Sequence, residues 1–476
     1  MKTLIGRHEE QELLQDALES HEAEMVAVLG RRRVGKTFLI NEVYGEQIVF
    51  EITGLQNATK QDQLENFVLQ LAEAYNNPFP IKNPSSWLEA FSMLIQFLKT
   101  KIGEEKIIVF LDELPWLATH RSGFLKGMSY FWNSWAVKQN IVVVICGSAA
   151  SWMIRKVVNN RGGLYNRITK RIQLFPFSLS ETEEYFQSRN IHFDRYQIVQ
   201  LYMALGGIPH YLKEVKGGKS ATQNINRICF SKKGMLSSEF SRLYPALFAK
   251  AENHIKVIRA LATKWQGLTR KEVNKIAKLP EGGTLARVLE ELEHSGFIST
   301  YHTFGKKKKE QLYRLTDEYS LFYLQFIEGK VFDEKDIWNH LSQTQSYKTW
   351  SGYAFENLCL KHIAPIKKAL GITGVYSVVS SFYKKGNATK SGTQIDLLID
   401  RNDKVINLFE IKFYTDKFTV SKSYATTLRN KITVFREATK TKKQLFLVMI
   451  STYGVDDNMH SLGLIDQSLT LDDLFE

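Results

Sequence analysis

The sequence predicts a multidomain α/β protein, and three observations carry that prediction. At 476 residues the chain exceeds the length at which one hydrophobic core stops growing, so roughly two to four domains are expected. From Met25 to Phe177 short β-branched runs alternate with longer helical patterns, the signature of a parallel sheet covered by helices. Further on, "GTQIDLLIDRNDKVINLFEIKF", Gly392 to Phe413, sets two apolar runs around a polar turn and reads as a β-hairpin.

Composition narrows the class. An apolar fraction of 44% is ordinary for a globular protein. Lys and Arg (63) outnumber Asp and Glu (50), a formal net charge of +13. That balance favours polyanionic partners, nucleic acid first and an anionic membrane surface second. Cys146, Cys229 and Cys359 are widely spaced in apolar surroundings and form no metal-ligand pattern, so they read as core residues in a reducing compartment. The opening "MKTLIGRHEEQELLQ" carries acidic residues where a signal peptide needs an apolar run, and no stretch approaches a membrane span. A cytoplasmic protein with no membrane partner is the expectation.

Five regions follow in order. Residues 1–178 hold the strands "MVAVLG", "QIVFEIT", "KIIVFLD", "NIVVVICGS" and "RIQLFPF". Residues 179–250 turn helical, opening on a capping box from Ser180 to Glu183, and read as a helical lid. In 251–326, Thr269 and Glu272 cap one helix, "PEGG" makes a turn, and "TLARVLEELEHSG" makes a second helix; two strands then flank "GKKKK", Gly305 to Lys309. This is the pattern of a winged helix. Residues 327–346 read as a linker and 347–476 as a last domain holding the hairpin.

"GRRRVGKT", Gly30 to Thr37, fits G-x-x-x-x-G-K-[ST] between a strand and a helix. In that context the backbone N–H groups of Gly30, Arg31, Arg32, Arg33, Val34 and Gly35, continuing into Lys36, Thr37 and Phe38, cradle phosphates at a helix N-terminus. Lys36 neutralises the β- and γ-phosphates and Thr37 offers its hydroxyl to Mg²⁺. A strand ending in Asp112 and Glu113 adds a carboxylate for the metal shell and one to polarise the attacking water, although an acidic pair there also serves as a helix cap. Ser148, in "CGSAAS", is suited either to orienting that water or to capping the next helix. Arg155, Arg161, Arg167 and Arg171 are candidates for reaching γ-phosphate in a neighbouring subunit, against the plainer reading of a solvated basic run.

Residues 1 to about 330 resemble the archaeal-type P-loop ATPases of the AAA+/STAND group through "IGRHEE", "GRRRVGKT", "FLDELPWL", "CGSAAS", "LYNR" and "GGIPHYL". The resemblance implies a P-loop NTPase sheet, ATP and Mg²⁺ as cofactors, Arg7 near the nucleotide, Pro209 in the lid segment facing it, and Arg167 as arginine finger. It also implies a nucleotide-dependent homo-oligomer. Ala149 and Asn166 depart from the family pattern, where Ser and Gly are usual.

The winged helix carries opposed signals. Its wing has four lysines, Lys306 to Lys309, whereas its second helix sets Glu290, Glu291 and Glu293 against Arg287 alone. A helix of that charge is repelled by a DNA groove, so the module reads as a connector or protein contact, with DNA reached at most through the wing.

In the hairpin, Glu410 and Lys412 share a strand face and Asp396 sits in the partner strand. Charges there need partners, and two carboxylates at this reach can hold Mg²⁺. A plain solvated Glu410–Lys412 pair is the structural alternative. The D…E-x-K pattern resembles the PD-(D/E)xK nuclease superfamily over roughly Trp350 to Ser451, with Ile395 in place of the proline. That resemblance implies a restriction-endonuclease-like α/β fold, Asp396 and Glu410 as metal ligands, Lys412 as catalytic lysine and Glu356 as helix acid. Lys417, Lys422, Arg429 and Lys431 are available to track a nucleic-acid backbone. The function expected is an ATPase whose nucleotide state controls a metal-dependent nuclease-like domain acting on DNA. The alternative is a nucleotide-gated switch whose last domain binds nucleic acid or protein without cleavage.

Overall fold

The computed structural model describes residues 4–76, 81–159, 163–164, 166–248, 250–280, 283–306, 310–330, 336–386 and 392–476. The chain divides into two compact units, Met1–Pro176 with His294–Gly296 and Phe177–Glu293 with Phe297–Glu476.

In the first unit the five apolar runs become β1 (Glu24–Gly30), β2 (Ile48–Thr53), β3 (Ile107–Asp112), β4 (Ile141–Gly147) and β5 (Lys170–Leu174). They form one parallel sheet ordered β2-β3-β4-β1-β5. Strands β1, β3 and β4 are buried along their whole length, which is why the sequence there runs apolar without alternating. The longer helices are α1 (His8–Glu19), α2 (Lys36–Tyr44), α3 (Lys60–Ala74), α4 (Trp87–Lys99) and α5 (Phe124–Ser134). Helices α4 and α5 close the core with aromatic contacts, Trp87 edge-on to Phe124 at 4.7 Å and Phe91 stacked on Phe131 at 5.4 Å.

The second unit begins with α6 (Leu179–Gln187), whose capping box is Ser178 with Glu181. The sequence "SLSETE" holds two overlapping S-x-x-E frames, and the predicted Ser180–Glu183 pair is the wrong one. A start at Leu179 buries Leu179, Thr182 and Phe186 on one face, and that burial selects the earlier cap. Helices α7 (Arg195–Leu205) and α8 (Pro209–Leu212) follow. Then come α9 (Ala251–Ala262), β6 (Leu268–Thr269), α10 (Arg270–Ala277), α11 (Thr284–His294), β7 (Ile298–Tyr301) and β8 (Leu312–Leu315), with a three-stranded sheet ordered β6-β8-β7. Helix α10 opens on the expected Thr269–Glu272 box. Helix α12 (Glu318–Phe326) leads to the segment read as a linker, where Trp338 is only 2% exposed. Its indole meets Phe322, Phe326 and Phe230 at 4.9–5.5 Å, so this stretch is a packed joint.

The main remaining elements are α13 (Gln345–Lys361), β9 (Ser377–Lys384), β10 (Thr393–Arg401), β11 (Val405–Lys412), α14 (Lys422–Thr439), β12 (Gln444–Ser451) and β13 (Gln467–Leu469). Their sheet is mixed, ordered β13-β12-β11-β10-β9, with β9, β10 and β11 antiparallel and β12 and β13 parallel to β11. Ile395, Leu398, Ile406 and Leu408 pack beneath Ala425, Leu428 and Phe435 of α14. Past β7 the chain bridges to β9: Phe304 N–H donates to Ser381 O (2.7 Å) and Ser381 N–H to His302 O (3.0 Å). The Phe304 ring lies 5.2 Å from Phe435. The lysines Lys307 to Lys309 lie outside the described residues, as does Arg161. Among the described residues no helix is long and apolar enough to cross a membrane.

Candidate functional site

The turn from β1 into α2 makes the first site. A Cβ on Gly30 would stand 2.6 Å from Leu174 O, so only glycine lets the loop pass β5 this closely. Lys36 is buried, and its Nζ donates to Gly30 O and Arg31 O, both at 3.0 Å. Thr37 Oγ1 donates to Asp112 Oδ2 at 2.7 Å, bringing the loop and the end of β3 together. Asp112 Oδ1 accepts from Glu113 N–H (2.8 Å), and Glu113 adopts a left-handed conformation (φ 46°) that a non-glycine residue holds only under constraint. Glu113 Oε2 accepts from both Ser148 N–H (3.1 Å) and Ser148 Oγ (2.9 Å). Strands β3 and β4 are neighbours in the sheet, and that adjacency places Ser148 on Glu113.

Other predicted members stand further out. Arg7 is buried and donates from Nη2 to Phe175 O at 2.6 Å. Arg32 and Arg33 are half-buried, whereas Thr37, Phe38 and Arg167 are exposed. Sequence reasoning took Cys146 only as a core residue; it lies fully buried on β4 beside Asp112, where burial first, then the Asp112 charge, pushes its thiol well up. The thiol is therefore a neutral donor toward that carboxylate.

Pro209 opens α8 in the second unit, next to a buried polar cluster. Gly206, at φ +67°, faces Glu318, whose Oε2 would be 3.1 Å from an added Cβ. Glu318 Oε1 accepts from Lys361 Nζ at 2.6 Å, at the end of α13. The next residue, His362, accepts from Leu179 N–H at its Nε2 (3.2 Å), while Nδ1 lies 2.8 Å from Leu358 O. That bonding suits a neutral ring, and burial lowers the imidazole to about 4. Tyr196 of α7 stacks face to face on Phe413 at 5.2 Å. No sequence pattern announced this seam, because its hydrogen-bonded members lie 43 and 183 residues apart.

The hairpin makes the third site. Its register pairs Leu397 with Phe409 and Asp400 with Ile406. Ile395 and Leu398, three residues apart, both enter the core under α14, and a bulge against β9 between them permits it. Glu410 is buried; its Oε2 accepts from Lys431 Nζ at 2.6 Å, and its Oε1 from Lys412 Nζ at 3.1 Å and from the Tyr424 hydroxyl. Burial pushes Glu410 up, but Lys431 and then Lys412 outweigh it and hold the carboxyl below its usual range. Asp396 Oδ1 accepts from Gln394 Nε2 at 2.7 Å. Glu356 is pushed up to about 8, by burial first and the Asp396 charge second, with Arg314 and Lys412 pulling it back.

Among the described residues no group of three or more His, Cys, Asp or Glu side chains is set to hold a metal ion. Glu356, Asp396 and Glu410 share one electrostatic neighbourhood, and α14 delivers Lys431 and Tyr424 onto Glu410. Neither residue carried a signal beyond a basic, amphipathic helix. For Thr37 and Asp112 a cage is not required, since magnesium in phosphate sites takes one or two protein ligands beside phosphate and water oxygens.

A parallel sheet with a glycine loop at the end of β1, and an acidic strand end beside it, defines a P-loop ATPase domain. Residues 4–215 match the family described as an ATPase domain predominantly from Archaea. An uncharacterised protein of Methanocaldococcus jannaschii is 24% identical over 422 residues, 86% of this chain and 87% of that one. A Walker-type ATPase of Pyrococcus abyssi shares the fold with a TM-score of 0.51, at 20% identity over 67% of this chain and 96% of that one.

Proposed function

We propose that the first unit binds and hydrolyses ATP with Mg²⁺, and that its nucleotide state controls a C-terminal nuclease-like domain acting on DNA. The observation that carries the first half is the run of bonds Thr37–Asp112–Glu113–Ser148. A bound Mg²⁺ would supply the positive charge that offsets charge developing on the phosphoryl group. Thr37 and Asp112 hold the oxygens suited to it. Lys36, already enclosed by the loop, pairs with the β- and γ-phosphates on trading its carbonyl partners for them. Glu113 orients and polarises the attacking water, and Ser148 fixes the carboxylate that does so. Arg7 stands beside the nucleotide, and Arg167 serves as the finger in a nucleotide-dependent homo-oligomer.

The module from α9 to β8 follows the order of a winged helix. Pairing of residues 302–304 with β9, and the acidic helix α11, support its reading as a joint rather than a reader of bases. In the last domain, the order α13, β9, β10, β11, α14, β12, with β12 parallel to β11, supports a nuclease-like build carrying Asp396, Glu410 and Lys412. A second reading, nucleic-acid binding without cleavage, is favoured by one observation: both Glu410 oxygens already have side-chain partners.

Cleavage of supercoiled plasmid with Mg²⁺ or Mn²⁺, with and without ATP, separates the two. Nicking by the wild type that Lys412→Ala abolishes supports the nuclease reading, and its ATP dependence measures the coupling. Intact plasmid under every condition leaves the binding reading. Failure of the wild type to hydrolyse ATP, with or without DNA, would sink the first half of the proposal.

A further inference from the structure

The charges around Glu410 need compensation, and they receive it from the chain itself. Lys431 Nζ stands 2.6 Å from Oε2, Lys412 Nζ stands 3.1 Å from Oε1, and the Tyr424 hydroxyl also reaches Oε1. An ammonium this close fills the space that a magnesium ion, bonding at about 2.1 Å, would need. Lys431 does not arrive by the chance reach of a surface side chain. It is carried by α14, which Ala425, Leu428 and Phe435 lock onto the sheet.

We infer that Lys431 is the built-in counter-ion of this site, standing on Glu410 in place of a divalent cation, and that the site grips a nucleic-acid phosphodiester through Lys412 without metal. This rests on the reading of the last domain as one that acts on nucleic acid. The Lys412 side chain is 37% exposed while Glu410 beneath it is 9% exposed. An ammonium has three donors and Glu410 engages one face of it, so the outward side can meet an anion. Lys412 also sits over the Tyr424 ring at 5.4 Å, which holds the cation in place without neutralising it.

The test uses the whole protein, free of nucleotide, with two readouts: Mn²⁺ binding followed by electron paramagnetic resonance, and binding of a short labelled DNA strand in EDTA or in Mn²⁺. Wild type and Asp396→Asn are expected to bind the same number of Mn²⁺ ions. Lys431→Met should gain one, and Lys431→Arg, which keeps the charge, should not. The DNA strand should bind the wild type equally with and without Mn²⁺, and Lys412→Ala about tenfold more weakly in both. A Mn²⁺ ion held by the wild type and lost in Asp396→Asn overturns the inference, and so does a folded Lys431→Met that gains none. DNA binding that requires Mn²⁺ overturns it as well. Absence of DNA binding in every condition overturns instead the nucleic-acid reading beneath it, and the counter-ion role is then decided by the Mn²⁺ titration.

Discussion

Lys36→Ala removes the one buried ammonium of the phosphate loop, and loss of fluorescent-nucleotide binding is the expected outcome. Glu113→Gln keeps the shape and removes the charge that polarises water, so nucleotide binding should persist while hydrolysis falls by about 10²–10⁴-fold. Ser148→Ala leaves Glu113 without its two-point hold only in part, because the backbone N–H remains. A fall in kcat of roughly tenfold with KM unchanged is the signature of that lost positioning. His362 supplies a pH prediction. Its folded value of about 4 lies below the ordinary imidazole value of about 6.5, so the folded state binds the proton less readily than the unfolded one. Its contribution is complete above about pH 6.5 and fades as pH falls toward 4, by roughly 3 kcal/mol. Urea unfolding of wild type and His362→Gln across that range should show the wild type losing more stability on acidification. At this scale the sequence showed residues whose roles follow from motif spacing, Lys36, Thr37 and Asp112. It gave Lys431 only as a lysine for nucleic acid and Cys146 only as a core residue, and it passed over Tyr424, because their partners are set by which element lands on which.

Elements were legible where burial is one-sided or total. The five strands of the first sheet announced themselves as apolar runs, and the hairpin announced itself by its turn. Two local decisions escaped. The cap of α6 fell on Ser178 because inward-facing side chains chose between two equally good frames. The β10 bulge re-aimed the chain around Asp396 because pairing with the preceding strand β9 shifts register there. The contact of residues 302–304 with β9 was also invisible, since a basic wing reads as exposed. Phe304→Ala should lower stability by about 3 kcal/mol by removing a ring from the α14 core. Hydrogen exchange should then speed up at the Phe304 and Ser381 amides while the first sheet stays protected.

For the whole molecule, the second unit is the unexpected object. Its first helices, the three-stranded module and the mixed-sheet domain share one body, joined by Lys361 on Glu318, His362 on Leu179, Tyr196 on Phe413 and the aromatic joint at Trp338. Lys361→Met should cost roughly 3–5 kcal/mol by leaving the Glu318 charge buried without its partner, measurable as a drop in the urea midpoint. The sequence reads a lid, a module, a linker and a last domain within this unit because local pattern marks elements, and the seams that join them are made by residues far apart in the chain. The chain past β7 makes a single bridge onto β9, Thr303 against Ser381. Strand β9 closes one side of its sheet and carries the exposed Val378 and Tyr383. Expressed alone, the last domain would present that row of backbone groups bare, a template on which a second molecule can add its own strand. The three residues from the neighbouring module therefore act as a guard against self-association, and their loss should surface first as turbidity rather than as unfolding.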